Sequence, residues 1–224
     1  MIRRSFWLRG TLLLLCCTGF WACRSAGPVT HLSGTLTGTE KVLVLPFQNM
    51  AWLHGENVDV RSPLTGKVFM TGPVGEGADR FLTDLLVEAL RQHTHFQMVS
   101  PLDAPAVLDA LRDTGAYQRS PLTVLARTGR MLGADLVAQG YLYRFKERVG
   151  KDYSAESAAS VAFDLYLIDS REPQVVWSGY LDETQQTLAE DLRFIGTFFR
   201  RGGRWITAEE MAGDAMQDMF KEFE

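Results

Sequence analysis

Lys41-Val42-Leu43-Val44-Leu45-Pro46-Phe47 is the stretch that decides the fold. Four aliphatic residues in an unbroken row, two of them β-branched, suit a strand covered on both faces rather than one with a wet side. Pro46 then ends the run. A doubly covered strand needs helices above and below it, which selects an α/β layer architecture. Outward from it, Gln48 to Gly77 is polar and rich in glycine and proline, with Val68-Phe69-Met70 as a short strand inside it. Phe81, Leu82, Leu85, Leu86, Ala89 and Leu90 recur at helical spacing and predict a helix over Ala78 to His93. Phe96 to Val99 reads as a second strand.

The alternation continues. Asp103 caps a helix running to Arg112, and Ser120-Pro121 places a cap before a proline at the first helical position of a helix ending at Leu132. Ala134 to Val149 reads as a strand, Lys151 to Ser157 as a polar turn, and Val161–Ile168 and Gln174–Leu181 as two strands around the turn at Asp169 to Pro173. Thr207 and Glu210 form a capping box for a last helix. Its apolar stripe is Met211, Ala215, Met219 and Phe223, with Met216 and Phe220 beside it. The expectation is one domain, a single mixed β-sheet covered by helices.

Length and composition agree with that reading. The chain has 224 residues, 46% hydrophobic and 22% charged, with a formal net charge of −4. These values exclude collagen-like, disordered and polytopic membrane classes. A pI of about 5.6 leaves no basic footprint for nucleic acid. All three cysteines, Cys16, Cys17 and Cys23, lie in the first 23 residues. Structural disulfides, cysteine-ligated zinc and a cysteine nucleophile are therefore excluded from the folded part.

The amino terminus reads as an export signal. Arg3, Arg4 and Arg9 precede an apolar run through Leu12–Leu15 to Phe20, Trp21 and Ala22. That run falls short of the roughly 20 residues a membrane-spanning helix requires. It resembles bacterial lipoprotein signal peptides, in which an S-acylated cysteine follows a small residue. Ala22-Cys23 fits, whereas Phe20 and Trp21 stand where such signals usually carry Leu and a small residue. Cys16 and Cys17 follow residues too large for that position. The resemblance implies cleavage before Cys23, acylation of Cys23, and, with Arg24 rather than an acidic residue next to it, anchoring at the outer membrane with the domain facing the periplasm. The chain thus divides into a signal peptide (1–22), a lipidated cysteine with a flexible tether (23–40) and an α/β domain (41–224). Residues 24–40, extended, reach roughly 55–60 Å.

The order of elements also resembles a family. Lys41 to Asn49, the helix Phe81 to Leu90, the strand Phe96 to Val99, the Gly133-Ala134-Asp135 turn into a strand, and Phe163 to Asp169 followed by Val175-Val176-Trp177 are similar to envelope lipoproteins related to the curli-secretion channel subunit. Penicillin-binding-protein activator lipoproteins and the amino-terminal domain of TolB share this layout. The resemblance implies a periplasmic scaffold that acts by contacting an envelope protein.

Candidate chemistry is sparse. Gly72, Gly75 and Gly77 precede a helix but lack the Gly-Lys-Ser/Thr ending of a phosphate loop and the glycine order of a dinucleotide turn. They are expected to form a flexible loop. His93 and His95 have no third ligand nearby in sequence, and His31 stands alone. Asp164, Asp169, Asp182 and Glu183 can be drawn as acid/base pairs, although Asp169 more simply shapes a turn. No hydrolase or metalloprotease signature occurs. The reading therefore assigns no catalytic residue, no metal and no cofactor. The most distinctive surface is aromatic and basic: Phe194 and Phe198, rimmed by Arg193, Arg200, Arg201 and Arg204, with Trp205 beyond. The Leu188, Leu192, Ile195 and Phe199 stripe beside them suits packing on the sheet. Trp52 marks a second candidate on the long Gln48–Gly77 excursion. Three functions fit: a non-enzymatic adaptor or regulator of an envelope complex, a subunit of an oligomeric secretion channel, and a small-molecule-binding or hydrolytic domain. The channel ranks below the adaptor because Arg148 to Ser157 is too short and charged to supply barrel strands.

Overall fold

A computed structural model describes residues 27–113, 120–151, 154–185 and 205–223. Cys23, the signal segment and the Phe194, Phe198, Arg193, Arg200 and Arg201 patch lie outside the described residues. The element order is β1 (Val29–Leu32), β2 (Lys41–Val44), β3 (Gln48–Asn49), α1 (Met50–His54), β4 (Asp59–Arg61), β5 (Val68–Met70), α2 (Ala78–His93), β6 (Gln97–Val99), α3 (Ala104–Asp113) and α4 (Pro121–Met131). It continues with β7 (Leu136–Lys146), β8 (Val149–Lys151), β9 (Ser154–Ser157), β10 (Ser160–Asp169), β11 (Gln174–Thr184) and α5 (Ala208–Phe220), which ends in a 3-10 turn.

The strand at Lys41 sits inside a seven-stranded mixed sheet ordered β1-β11-β10-β7-β2-β6, with β3 added beside β7. Its two neighbours β6 and β7 run parallel to it. Beyond β7 the sheet turns antiparallel through β10, β11 and β1. Parallel neighbours need crossovers long enough to hold helices, and hairpins need only turns, so the sheet changes character where the connections shorten.

Alternate side chains of β2 enter two separate cores. Val42 and Val44 face α2 and α5, whereas Leu43 and Leu45 face α3, α4 and the β4–β5 hairpin. The predicted helical stripe holds, since Leu82, Leu86, Ala89 and Leu90 are all buried. In α5 both halves of the capping box form between Thr207 and Glu210. Glu147 at the end of β7 accepts from the Ala208 amide as well, tying that helix start to the sheet. Trp177 of β11 stacks on Phe220 at 5.1 Å between centroids. Gly140 has a steric role: a Cβ there would lie 2.3 Å from the Phe47 ring.

Three sequence expectations change. The stretch read as tether up to Glu40 contains β1, which pairs with β11 from Val29↔Tyr180 to Leu32↔Trp177. Its side chains are mostly exposed, so its place in the sheet comes from backbone pairing and leaves no apolar pattern to read. The polar turn at Lys151–Ser157 forms, with Val149, the small hairpin β8–β9, and the long strand stops at Lys146. The Gln48–Gly77 excursion contains the expected strand Val68–Met70 as β5, and adds β3, α1 and β4, with Val60 and Phe69 buried.

Candidate functional site

Two connections leave the parallel strands in opposite directions. The chain from β2 reaches α2 on one face, and the chain from β6 reaches α3 and α4 on the other. Open α/β sheets bind ligands in the crevice such a switch creates beyond the carboxyl ends of the strands. Here that crevice is a cleft of about 570 Å³ between Leu45-Pro46-Phe47, the start of α2 at Asp79, and Leu108 of α3. Its floor is fixed by hydrogen bonds. The Leu45 amide donates to the Ala138 carbonyl at 3.0 Å, the Phe47 amide to Thr83 Oγ1 at 3.0 Å, and Gln139 Nε2 to the Pro46 carbonyl at 3.2 Å.

Trp52 forms the rim. Asn49 caps the short helix α1, its Oδ1 accepting from the Trp52 amide at 2.9 Å. Met50 and Ala51 anchor the helix in the interior and turn Trp52 and Leu53 outward. Trp52 is 82% exposed and Leu53 47%. A large aromatic held in water on a rigid rim is the residue type that concentrates binding energy at interfaces. Sequence reasoning singled out Trp52 but not the cleft, because Leu108 and Gln139 reach it only through tertiary folding.

The glycine segment has another role. The Gly72 amide donates to the Tyr143 carbonyl at 3.0 Å and the Gly75 amide to that of Phe145 at 3.2 Å, while the Phe145 amide donates to Pro73. Its amides extend the edge of β7 instead of forming a phosphate cradle or a loose loop. Gly77 adopts φ 77° as the amino-terminal cap residue of α2, a left-handed conformation that disfavours side chains.

The drawn carboxylate pairs separate. Asp169 Oδ1 accepts from the Arg171 and Glu172 amides at 2.6 and 3.0 Å and shapes the β10–β11 turn. Asp182 pairs with Arg144 at 2.7 Å. Asp135 accepts from the Lys41 amide and pairs with Arg171 at 2.9 Å, and the amide bond above all holds its carboxyl below the usual range. Glu183 is buried on β11, and Asp164 more deeply on β10, at 1% exposure. Burial pushes its carboxyl up to about 6 against the contrary effect of its hydroxyl donors. Tyr166 and Tyr143 donate to its Oδ2 at 2.6 and 3.1 Å. Burial and the adjacent carboxylate raise both phenols. The single polar letter in Val161-Ala-Phe-Asp-Leu-Tyr-Leu-Ile168 was the available signal for this cluster, but its partners lie on other elements.

His93 hydrogen-bonds with Gln217 of α5, and His95 and His31 are exposed. Among the described residues no group of three His, Cys, Asp or Glu side chains is placed to hold a metal, and no helix is long and apolar enough to cross a membrane. Trp205 is half-buried beside the Ile206 amide that donates to Gln185 ahead of α5. The aromatic-basic patch it was grouped with lies outside the described residues.

The fold defines the class: a helix-covered, open mixed sheet of the α/β type with an aromatic-rimmed cleft at its switch point. No protein-family model matches the chain, and no curated protein matches it. Solved structures are similar to it. The PelC dodecamer from Paraburkholderia phytofirmans overlaps with a TM-score of 0.48 at 14% identity, over 87% of this chain and 94% of that one. The LpoB C-terminal domain from Salmonella enterica gives 0.38 at 16%, over 68% and 88%, and lipoprotein GNA1162 from Neisseria meningitidis 0.37 at 13%, over 73% and 98%.

Proposed function

We propose that this chain is a non-enzymatic envelope lipoprotein, held at the outer membrane through acylated Cys23, that binds a segment of another envelope protein in the switch-point cleft. The observation that carries the reading is Trp52, held 82% exposed by a capped helix at the rim of that cleft. Asp79 and Asp109 line the cleft. Of the carboxylates that sequence made candidates, Asp164, Asp169 and Asp182 lie elsewhere, in a buried cluster, a turn and an ion pair, and Glu183 is buried on β11. The Ala22-Cys23 junction supports the anchor, since stable attachment takes more than one acyl chain and a diacylated cysteine supplies them. Phe194, Phe198, Arg193, Arg200, Arg201 and Trp205 form a second contact surface in the same reading.

The test is site-specific photocrosslinking in whole cells. A crosslinker replacing Trp52 captures one envelope protein reproducibly, and one replacing Leu102, an exposed residue outside the cleft, does not. Equal capture at both positions refutes the cleft. Cys23→Ala releases the protein from the membrane fraction; retention at unchanged, unprocessed mass refutes the anchor.

A further inference from the structure

The β4–β5 hairpin lies over the polar cluster on the sheet. Gly55 at φ 94° and Asn57 at φ 58° lead into it, and Gly72 follows it. Its neck is closed on itself, with the Thr71 amide donating to the Val58 carbonyl at 2.9 Å, the Asn57 amide to that of Thr71 at 3.1 Å, and Thr71 Oγ1 to that of Gly55 at 2.8 Å. Residues 55–71 are therefore braced internally and joined to the body at two narrow points. Underneath, Phe69 stacks on Tyr143 at 4.2 Å, and Ser62 and Thr65 reach Tyr166 OH at 2.8 and 2.9 Å. Tyr166 gives its one proton to Asp164, so both hydroxyls donate to Tyr166.

This arrangement seals the Asp164 carboxyl beneath the hairpin. Oδ2 takes two phenol donors, and Oδ1 has no hydrogen-bond partner. The ionisable and charged groups around it come from every packed element. Tyr141, Tyr143 and Arg144 are on β7, Tyr166 is on β10, Tyr180 and Asp182 are on β11, and Asp59, Arg61 and Lys67 are on the hairpin. Arg144 is engaged with Ser160, the Met70 carbonyl and Asp182. Lys67 Nζ lies over the Tyr180 ring at 3.9 Å, and Asp59 and Arg61 are exposed. None of these cations hydrogen-bonds to Asp164. An ionised carboxylate in that place loses water on one oxygen without replacement, whereas a neutral one loses far less.

We propose that the β4–β5 hairpin is a pH-responsive cover on the sheet, held down when Asp164 is neutral and loosened when Asp164 ionises. The sign follows from linkage. Lifting the hairpin rehydrates the carboxyl, so ionisation favours the lifted state and raising the pH drives opening. Lifting uncovers Phe69 and Val60 on the hairpin and Tyr143 and Tyr166 on the sheet. The rise of the carboxyl from its ordinary 3.8 to about 6 bounds the effect.

The test is amide hydrogen exchange of the full chain between pH 4.5 and 7.5, corrected for intrinsic rates. Protection of the 58–71 amides is expected to fall by up to about 30-fold as the pH rises from 4.5 and to level off above about 6, while β2 and β10 amides change less. In Asp164→Asn the hairpin amides stay protected and flat across that range. A flat profile in the parent protein, or the same fall in Asp164→Asn, overturns the proposal, as does an equal fall in hairpin and sheet amides. Should Asp164→Asn not fold, Tyr166→Phe serves: it removes a donor to the carboxylate, so the fall in protection continues to higher pH before it levels off. A plateau that begins at the same pH overturns the proposal.

Discussion

The two faces of one sheet are built on different terms. The face under α2 and α5 is mainly apolar, from Val42 and Leu82 to Trp177, Met219 and Phe220, with Glu183 and Gln185 buried at one end of it. The other, under α3, α4 and the hairpin, sets three tyrosines and a buried carboxyl among Leu43, Val60 and Phe69. Apolar burial is indifferent to pH, whereas a buried acid makes its surroundings depend on it. The first face is a foundation; the second is conditional.

Trp177→Ala strikes the first face hardest. Removing a fully buried ring stacked on Phe220 is expected to cost about 3–5 kcal/mol in denaturant unfolding, at every pH. If a comparable loss appeared only above pH 6, the contrast between the faces would fail.

Asp164 comes next. A carboxyl raised in the folded state contributes stability that is complete below its unfolded value near 3.8 and is lost as pH rises through about 6. Unfolding free energy is expected to fall by about 3 kcal/mol across that window and then level off, with Asp164→Asn flattening the curve. Asp135 runs the opposite way. Its lowered carboxyl contributes stability above its unfolded value that disappears as the solution is acidified below it. Asp135→Asn therefore trims only the acid limb of the curve, and its exposed pair with Arg171 makes that a small change.

Thr207→Ala tests the helix that closes the apolar face. Loss of the cap is expected to cost about 1 kcal/mol, without pH dependence. Trp52→Ala has the smallest effect on folding, within about 0.5 kcal/mol, because the ring is 82% exposed. It nonetheless abolishes partner capture. A large destabilisation would instead show Trp52 to be part of the core.

Legibility followed the same division. The helices α2, α4 and α5 and the strands β7, β10 and β11 are visible in sequence because each carries its own apolar period or cap. Their side chains declare which way they face. The strand β1 and the hairpin β8–β9 were not visible, since exposed or polar strands are held by backbone pairing that any residue can supply. The site divided likewise. Trp52 stands out as an aromatic in a polar excursion, but the cleft behind it joins Phe47, Asp79, Leu108 and Gln139 from four parts of the chain.

By itself the sequence determined the layer architecture, since a doubly apolar strand beside amphipathic helices has few ways to hide its surface. It also determined the resemblance to an exported lipoprotein, because Cys23 after Ala22 is a local chemical signal. Tertiary structure decided that the glycine segment is sheet edge, that Trp52 borders a cleft, and that Asp164 is sealed under a hairpin. The reason is range. Periodicity and caps act over a few residues, whereas the Ser62–Tyr166 contact spans 104 positions and exists only once both faces of the sheet are covered.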